Sequence, residues 1–149
     1  MSEVEHIFRC VIISPAGKLL DCQTASVIFT AHDGSRGVLY NHLPMLCELG
    51  LGIVEVKLPV TRQEKNYNGN NHKKLALIDG GFALISSNLV NIIASDAVCG
   101  WDIKMEKIEH LLEKVEKRLS TLPRATPQYL HEARKNALLK KILERLEAQ

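Results

Sequence analysis

The spacing of apolar residues changes once along this 149-residue chain, close to Gly100. Before that point, short apolar or alternating segments are separated by turn residues. After it, apolar residues recur every three or four positions. Side chains alternate between faces in a strand but return to one face after about 3.6 residues in a helix. The chain therefore has to combine a β unit, predicted over residues 1–99, with an α unit over residues 100–149.

The β unit is indicated by several short strand-like segments. In residues 52–60, apolar positions alternate with Glu55, Lys57 and Pro59, which is the period of a half-buried strand. Further apolar segments lie at 6–14, 24–32, 74–78, 81–86 and 89–95. The sequences PAGK, DGG and SSN are predicted turns, and the polar residues 61–71 are expected to form a long hairpin tip. Short strands without intervening helices predict an antiparallel β-sandwich.

The α unit carries two amphipathic segments. Asp102 is a suitable N-cap for the first, and its apolar stripe consists of Ile103, Ile108, Leu111, Leu112, Val115 and Leu119. Pro123 and Pro127 then interrupt the helical pattern. The apolar face expected for the second segment consists of Leu130, Ala133, Ala137, Leu138, Ile142 and Leu146. This pattern predicts an antiparallel two-helix hairpin.

Composition and charge exclude several classes of protein. The net charge of +2 is too small to favour nucleic-acid binding. No apolar run is long enough to cross a bilayer, and residues 1–10 lack the apolar core of a secretory signal. The four cysteines are irregularly spaced and do not cluster with the six histidines. We therefore expect buried, reduced thiols and no metal site.

The charge is divided unevenly between the two units. Residues 1–99 carry 8 basic and 9 acidic side chains, a net charge of −1, whereas residues 100–149 carry 11 and 8, a net charge of +3. The cations of the last helical segment are Arg134, Lys135, Lys140, Lys141 and Arg145. Such charges usually form a solvated face, and an acidic protein partner is the alternative.

Residues 33–52, DGSRGVLYNHLPMLCELGLG, raise the question of catalysis. Asp33 and His42 could form an acid–base pair, but the sequence offers no third partner. The glycines at 34, 37, 50 and 52 do not precede a helix, so they cannot form a phosphate cradle and are predicted to be turn residues with positive φ. Nucleophile-elbow, Walker and dinucleotide-binding motifs are absent. We therefore predict a noncatalytic protein in which this stretch is a rigid surface loop.

Two motifs together resemble the epsilon subunit of F-type ATP synthases. The family's first motif runs E-G-x-x-G, two hydrophobic residues, x-x-H-x-P, then a leucine and a glycine before a strand. It is matched by Gly34, Gly37, Val38, Leu39, His42, Pro44, Leu49 and Gly52. The second, G-G-F-x-x-hydrophobic-x-x-N-x-V, is matched by Gly80, Gly81, Phe82, Asn88 and Val90, followed by Ile92 and Ile93. Residues 13–27 also fit the family's N-terminal hairpin, and the resemblance extends over the whole chain.

The resemblance implies a noncatalytic rotor subunit of the central stalk. Its sandwich would hold the gamma subunit and the c-ring, joining proton flow to ATP synthesis, with hydrogen bonds from Asp33 and His42 to the polar c-ring loops. The candidate docking residues are Asp33, Arg36, Tyr40, His42 and Pro44. The chain would be peripheral to the energy-transducing membrane, on its cytoplasmic face, through these partners.

The helical hairpin resembles the regulatory element of the same family. It would fold against the sandwich or extend along gamma and hinder ATP hydrolysis, with the five cations of the last helix meeting acidic residues of the catalytic alpha and beta subunits. Pro123 and Pro127 are expected to keep a break near residues 120–127 in both states, since an interior proline costs a helix about 3 kcal/mol.

Two other functions are compatible with the sequence. Some members of the family bind ATP through an I/L-D-x-x-R-A motif, for which Asp96 and Asp102 are the candidate nucleotide-binding residues here. Met105 and Glu106 replace the Arg and Ala of that motif, which removes the expected phosphate partner. No cofactor is therefore predicted, although ATP binding stays open as an alternative. The other alternative is an unrelated β-sandwich adaptor, which copurification with gamma would distinguish.

Overall fold

The first part of the chain consists of strands and the second part of two helices. The computed structural model describes residues 6–60, 72–101 and 105–148, and the compact units are Met1–Cys99 and Gly100–Gln149. The described strands are β1 (Phe8–Ser14), β2 (Gly17–Thr24), β3 (Ser26–Ala31), β4 (Gly34–Val38), β5 (Met45–Lys57), β6 (Lys73–Ser86), β7 (Leu89–Ala94) and β8 (Ala97–Cys99). The described helices are α1 (Met105–Thr121) and α2 (Pro127–Glu147).

The strands form the predicted β-sandwich. They are ordered β2-β1-β7-β6-β5-β3-β4, and β8 also pairs with β6. The second half of β6 pairs with β7, whereas its first half pairs with β8. β5 and β6 therefore contribute to both layers of the sandwich. In each layer, further strands pair with their outer edges. The largest fully buried side chains of this core include Ile12, Phe29, Leu77, Ile78, Ile85 and Ile92.

Six of the seven described ladders are antiparallel, as predicted, and one is parallel. The parallel ladder joins β1 to β7, from Arg9↔Leu89 to Ile13↔Ile93. These two strands are far apart in sequence and are not linked by a hairpin, so the connection between them places no constraint on their relative direction.

The DGG segment was predicted as a turn, and that prediction is wrong. Asp79, Gly80 and Gly81 lie inside β6, with φ of +76° and +130° at the two glycines. The backbone stays paired through the bend, because Ser95 N donates to Gly80 O at 3.0 Å. Two positive-φ glycines can bend a continuous strand as well as end it, and the sequence pattern is the same in both cases.

The other predicted turns lie where expected. Gly17, at φ +130°, follows the turn between β1 and β2. Ser87 and Asn88 join β6 to β7 with φ of 48° and 58°, the positive values at both central residues that a type I′ hairpin requires. Residues 61–71, the predicted hairpin tip, lie outside the described residues. The strands that flank them pair antiparallel down to Lys57↔Lys73.

The stretch 33–52 is mostly strand, which corrects the expectation of a loop. It contains β4 and the beginning of β5, which starts at Met45, seven residues before the predicted strand. Of its glycines only Gly34 has a positive φ, so the prediction of turn glycines is wrong for Gly37, Gly50 and Gly52. At Gly52 the requirement is close packing, because an added Cβ would lie 2.5 Å from Thr30.

The α unit is the predicted hairpin. Ion pairs join Arg118 to Glu132 at 3.4 Å and Glu116 to Lys140 at 3.3 Å, so residues later in α2 meet residues earlier in α1, as in an antiparallel pair. The predicted break lies between the helices. Pro127 occupies the first turn of α2, where its missing N–H costs nothing, and Thr126 is the N-cap.

The apolar stripe of α1 is confirmed, but that of α2 is shifted. Ile108, Leu112 and Val115 are buried in α1. Asp102 and Ile103, the predicted N-cap and first stripe residue, lie outside the described residues. In α2 the buried residues are Leu139 and Ile142, whereas the predicted Leu130 and Ala137 are exposed. Leu138 and Leu139 are adjacent, so the spacing alone could not decide which of them faces inward.

The four cysteines are free, as expected, but only Cys10 is fully buried. Burial raises the pKa of its thiol to about 12, so Cys10 is uncharged at neutral pH. Neither of the two described helices is long and apolar enough to cross a membrane.

Gly81→Ala is expected to destabilise the chain by about 3 kcal/mol or more. An added Cβ would overlap the carbonyl oxygen of Ile93, and φ of +130° disfavours any L side chain. Urea unfolding measures the change. Gly50→Ala is the control, since its Cβ would meet open space at an ordinary φ. Equal losses for the two variants would contradict a role for Gly81 in the bend.

Residues 1–99 alone are expected to fold. They hold 21 of the 26 buried apolar residues that the structure describes, and their core is formed by their own strands. A chain ending at Cys99 should show one cooperative thermal transition with native-like near-ultraviolet circular dichroism. A broad, non-cooperative melt would mean that the helices are needed for the sandwich to fold.

Candidate docking surfaces

Residues 33–44, which we call the docking edge, form a strand between two turns. The first turn joins β3 to β4 at Ala31↔Gly34. The second is closed by a hydrogen bond from His42 N to Leu39 O at 3.1 Å. Asn41, its third residue, has φ of 59°, a value that asparagine tolerates better than most side chains. The backbone of the docking edge is thus fixed by hydrogen bonds at both turns.

Asp33 and Arg36 form an ion pair within the docking edge. Arg36 Nη2 lies 2.6 Å from Asp33 Oδ2. The Arg36 guanidinium, through this hydrogen bond and its charge, lowers the pKa of the Asp33 carboxyl, which therefore stays ionised at neutral pH. Arg36 lies opposite Phe29 in the ladder. The carboxylate expected to bind a partner is thus already engaged by its neighbour.

Tyr40 and His42 are engaged in a similar way. The Tyr40 ring stacks on His6, with ring centroids 5.0 Å apart and an interplanar angle of 20°. His42 Nδ1 donates to the carbonyl oxygen of Leu43 at 2.6 Å. Since Asp33 pairs with Arg36 and His42 with Leu43, the two do not form the acid–base pair considered from the sequence.

Reciprocal hydrogen bonds tie the docking edge to the turn between β6 and β7. Asn41 N donates to Asn88 Oδ1 at 2.7 Å, and Asn88 Nδ2 donates to Asn41 Oδ1 at 3.1 Å. The backbone of Asn88 also accepts from Arg9 N at 3.1 Å. Three segments distant in sequence therefore meet at Asn88.

The most exposed large side chains near this edge are leucines. Leu39 is 64% exposed, Leu43 is 79% exposed and Leu46, just beyond the edge, is 67% exposed. Pro44 is exposed between them. The surface offered to a partner is therefore more apolar than the sequence suggested.

A second apolar surface lies on the outer side of β1, β7, β6 and β5. Its members, which we call the apolar face, are each at least 38% exposed: Ile13, Leu46, Phe82, Leu84 and Ile93. Leu46 lies opposite Leu84, and Ile93 lies between Ile13 and Phe82. Directly opposed residues in a sheet have Cβ atoms about 5 Å apart, so these five form one contiguous patch.

Polar pairs flank the apolar face on both sides. On the β2 side, Arg9 donates two hydrogen bonds to Asp21, at 2.8 and 2.7 Å. On the β5 side, His32 Nε2 lies 3.8 Å from Glu48 Oε1. An apolar centre with a polar rim is the usual composition of a protein–protein interface.

The apolar face was not predicted from the sequence, although the sequence contains a signal for it. The segments GFALIS and LVNIIA are apolar at consecutive positions instead of alternating. In a sandwich only one side of each strand faces the core, so such a run leaves apolar side chains on the other side.

The five cations of α2 do not form one cluster. Arg134, Lys141 and Arg145, spaced by seven and four residues, lie along one side of the helix. Lys140 pairs with Glu116 of α1, and Lys135 is half-buried.

The candidate nucleotide-binding residues are only partly placed. Asp96 Oδ1 accepts a hydrogen bond from Ala97 N at 2.9 Å, and Asp102 lies outside the described residues. Within the described ranges, no group of three or more His, Cys, Asp or Glu side chains could hold a metal ion. That the chain uses no cofactor stays a prediction.

Comparison with known proteins identifies the family. Residues 7–100 match the family described as ATP synthase, Delta/Epsilon chain, beta-sandwich domain. The chain is 31% identical over 119 residues to the ATP synthase epsilon chain of Lactobacillus helveticus, covering 80% of this chain and 77% of that protein. It is 32% identical over 114 residues to the chloroplastic ATP synthase epsilon chain of Mesostigma viride, covering 76% and 78%.

Solved structures support the fold. A chain of the Euglena gracilis mitochondrial ATP synthase, in a structure of OSCP, F1 and c-ring, superposes with a TM-score of 0.54 at 23% identity, covering 99% of this chain and 83% of that chain. A chain from the Tetrahymena thermophila mitochondrial ATP synthase central stalk and c-ring gives 0.53 at 14% identity, covering 91% and 95%. At these identities the likeness concerns the fold alone.

Proposed function

The chain belongs to the ATP synthase delta/epsilon family, and on that premise we propose that it is a noncatalytic central-stalk subunit of a proton-translocating F-type ATP synthase. In this role it joins rotation of the c-ring to the catalytic head through gamma. It is peripheral to the energy-transducing membrane, on the cytoplasmic face, and is held there by its partners. The observation that carries the proposal is the apolar face on a sandwich of this family.

The apolar face is the proposed gamma-binding surface. Five contiguous exposed apolar side chains are unfavourable in water, and their burial against a partner is worth about 25 cal/mol per Å². The Arg9–Asp21 ion pair on one side, and the polar side chains of His32 and Glu48 on the other, add a rim that can fix orientation. A rotor subunit has to bind gamma without slipping, and a patch on four hydrogen-bonded strands meets that requirement.

The docking edge is the proposed c-ring contact. Its candidate residues are Asp33, Arg36, Tyr40, His42 and Pro44. Their positions are set by turns that are hydrogen-bonded to the sandwich, so force applied at this edge is transmitted to the strands of the apolar face.

Phe82→Ser is expected to weaken binding to purified gamma by about tenfold or more, because a large aromatic side chain at the centre of an interface contributes disproportionately. Phe82 is 52% exposed, so the melting temperature should change little. Titration calorimetry with the full chain measures the affinity.

The matched control for this measurement is Ile28→Ser. Ile28 is an apolar strand residue, 42% exposed, that lies on β3 outside the apolar face. It should bind gamma like the unmodified chain. Equal affinities for Phe82→Ser and the unmodified chain would place the gamma contact elsewhere.

The helical hairpin is the proposed regulatory element, able to leave its folded form and hinder ATP hydrolysis. Two buried acceptors, Glu132 Oε2 and Asn136 Oδ1, have no hydrogen-bond partner within the described residues. A buried unsatisfied acceptor costs about 1–3 kcal/mol, which weakens the closed pairing of α1 and α2. The cationic side of α2 suits the proposed contact with acidic residues of the alpha and beta subunits.

Removal of α2 is expected to raise ATP hydrolysis by the assembled enzyme in the absence of a proton gradient. A chain truncated after Leu119 should relieve inhibition, and reversing the charge of all five α2 cations should do the same. Hydrolysis is measured with a coupled ATPase assay. If the truncated subunit supports no faster hydrolysis than the intact one, the regulatory role is absent.

Two double variants with the same change in net charge test whether the position of the cations matters. Arg134→Glu/Lys141→Glu changes two exposed cations on one side of α2, whereas Lys114→Glu/Lys117→Glu changes two exposed cations of α1 by the same net amount. Only the α2 pair should relieve inhibition. Equal relief by both pairs would contradict a specific contact through α2.

A further inference from the structure

We infer that Leu39 and Leu43 are the side chains through which the docking edge holds its partner, and that Asn41 and Asn88 position them. The inference rests on the proposed c-ring function and specifies its chemistry. The inference requires that the partner surface present apolar atoms to these two side chains, in addition to any hydrogen-bonding groups.

The polar side chains of the docking edge are poorly placed to provide the main contacts. Asp33 is engaged by Arg36, and His42 uses Nδ1 on the carbonyl of Leu43. Tyr40 is stacked on His6. These exposed groups already make hydrogen bonds with their neighbours and with water, so the net gain from a new polar contact would be small.

The two leucines can contribute more to binding, because their exposed apolar surface is available to a partner. Leu39 and Leu43 lie at the two ends of the turn closed by His42, and both are largely exposed. Burial of these side chains against a partner is favourable in proportion to the apolar area removed from water. Leu46 continues this apolar surface into the apolar face, so one continuous strip could serve the ring and gamma together.

The two asparagines fix where the leucines lie. Both adopt left-handed conformations, at φ of 59° and 58°, and each donates one hydrogen bond to the other. Arg9 N donates a hydrogen bond to the carbonyl oxygen of Asn88. The turn of the docking edge is therefore connected to β1 as well as to β6 and β7. Fixing the turn before binding reduces the entropy lost on binding, which raises affinity without adding a contact.

The first test measures binding of the full chain to a purified gamma–c-ring subcomplex in detergent and to gamma alone. Leu39→Ser/Leu43→Ser should weaken binding to the subcomplex by about tenfold or more while leaving the affinity for gamma alone unchanged. Ile28→Ser, an exposed strand residue outside both surfaces, is the control and should bind like the unmodified chain. The loss should persist at 0.5 M salt, because apolar contacts are not screened.

The competing result is equally specific. If Asp33→Ala/His42→Ala weakens binding to the subcomplex more than the leucine pair does, the edge docks through polar groups and the inference is wrong. It is also wrong if the leucine pair binds the subcomplex like the unmodified chain. If the unmodified chain binds gamma alone as tightly as the subcomplex, the c-ring contact itself fails, and the proposed function must be revised.

The second test concerns positioning. Asn88→Gly removes the side-chain hydrogen bonds to Asn41 but keeps a residue that tolerates φ of 58°, so the hairpin turn should survive and the melting temperature should hold. We expect about threefold to tenfold weaker binding to the subcomplex. Added to Leu39→Ser/Leu43→Ser, it should cause no further loss, because its effect passes through the leucines. Additive losses would overturn the positioning role.

Discussion

The bend that β5 and β6 share is the constraint on which the rest of the β unit depends. Both strands change layers while remaining paired, and this is possible only where side chains are absent. Gly81 approaches the backbone of Ile93 too closely for a Cβ, and Gly52 packs against Thr30. The β5–β6 pairing continues on both sides of the bend, at Leu49↔Gly81 and at Leu51↔Asp79, and the other strands align on either side of these two.

Both proposed docking surfaces follow from this arrangement. The second half of β6 carries Phe82 and Leu84 on its outer side, next to Leu46 and Ile93 of the neighbouring strands. The start of β5 emerges from the docking edge, so the two surfaces share one continuous segment of chain. Asn88, at the end of β6, then fixes the edge. The docking edge is therefore joined to the apolar face both along the chain and through hydrogen bonds.

The helix boundaries of the α unit depend on signals that lie close together in the sequence. Pro127 begins α2 under the cap of Thr126, and Pro123 lies in the connection, so the break between helices is encoded within a few residues. The pairing of the helices is less favourable, because the buried oxygens Glu132 Oε2 and Asn136 Oδ1 have no hydrogen-bond partner among the described residues. Incomplete hydrogen bonding of this kind is compatible with the proposed regulatory role, in which the hairpin would change between two states.

The sequence by itself determined the elements whose signals are local: the alternation in 52–60, the SSN turn, the α1 stripe and the helix break. It also carried the two glycine motifs by which the family is identified. Only the tertiary structure decided that DGG bends a strand instead of ending it, because positive φ serves both purposes. It likewise decided that Leu139 rather than Leu138 faces inward, and that Asp33 and His42 are engaged internally while leucines remain exposed. Each of these depends on which partner a residue meets across the sheet or the hairpin, and spacing along the chain does not contain that information.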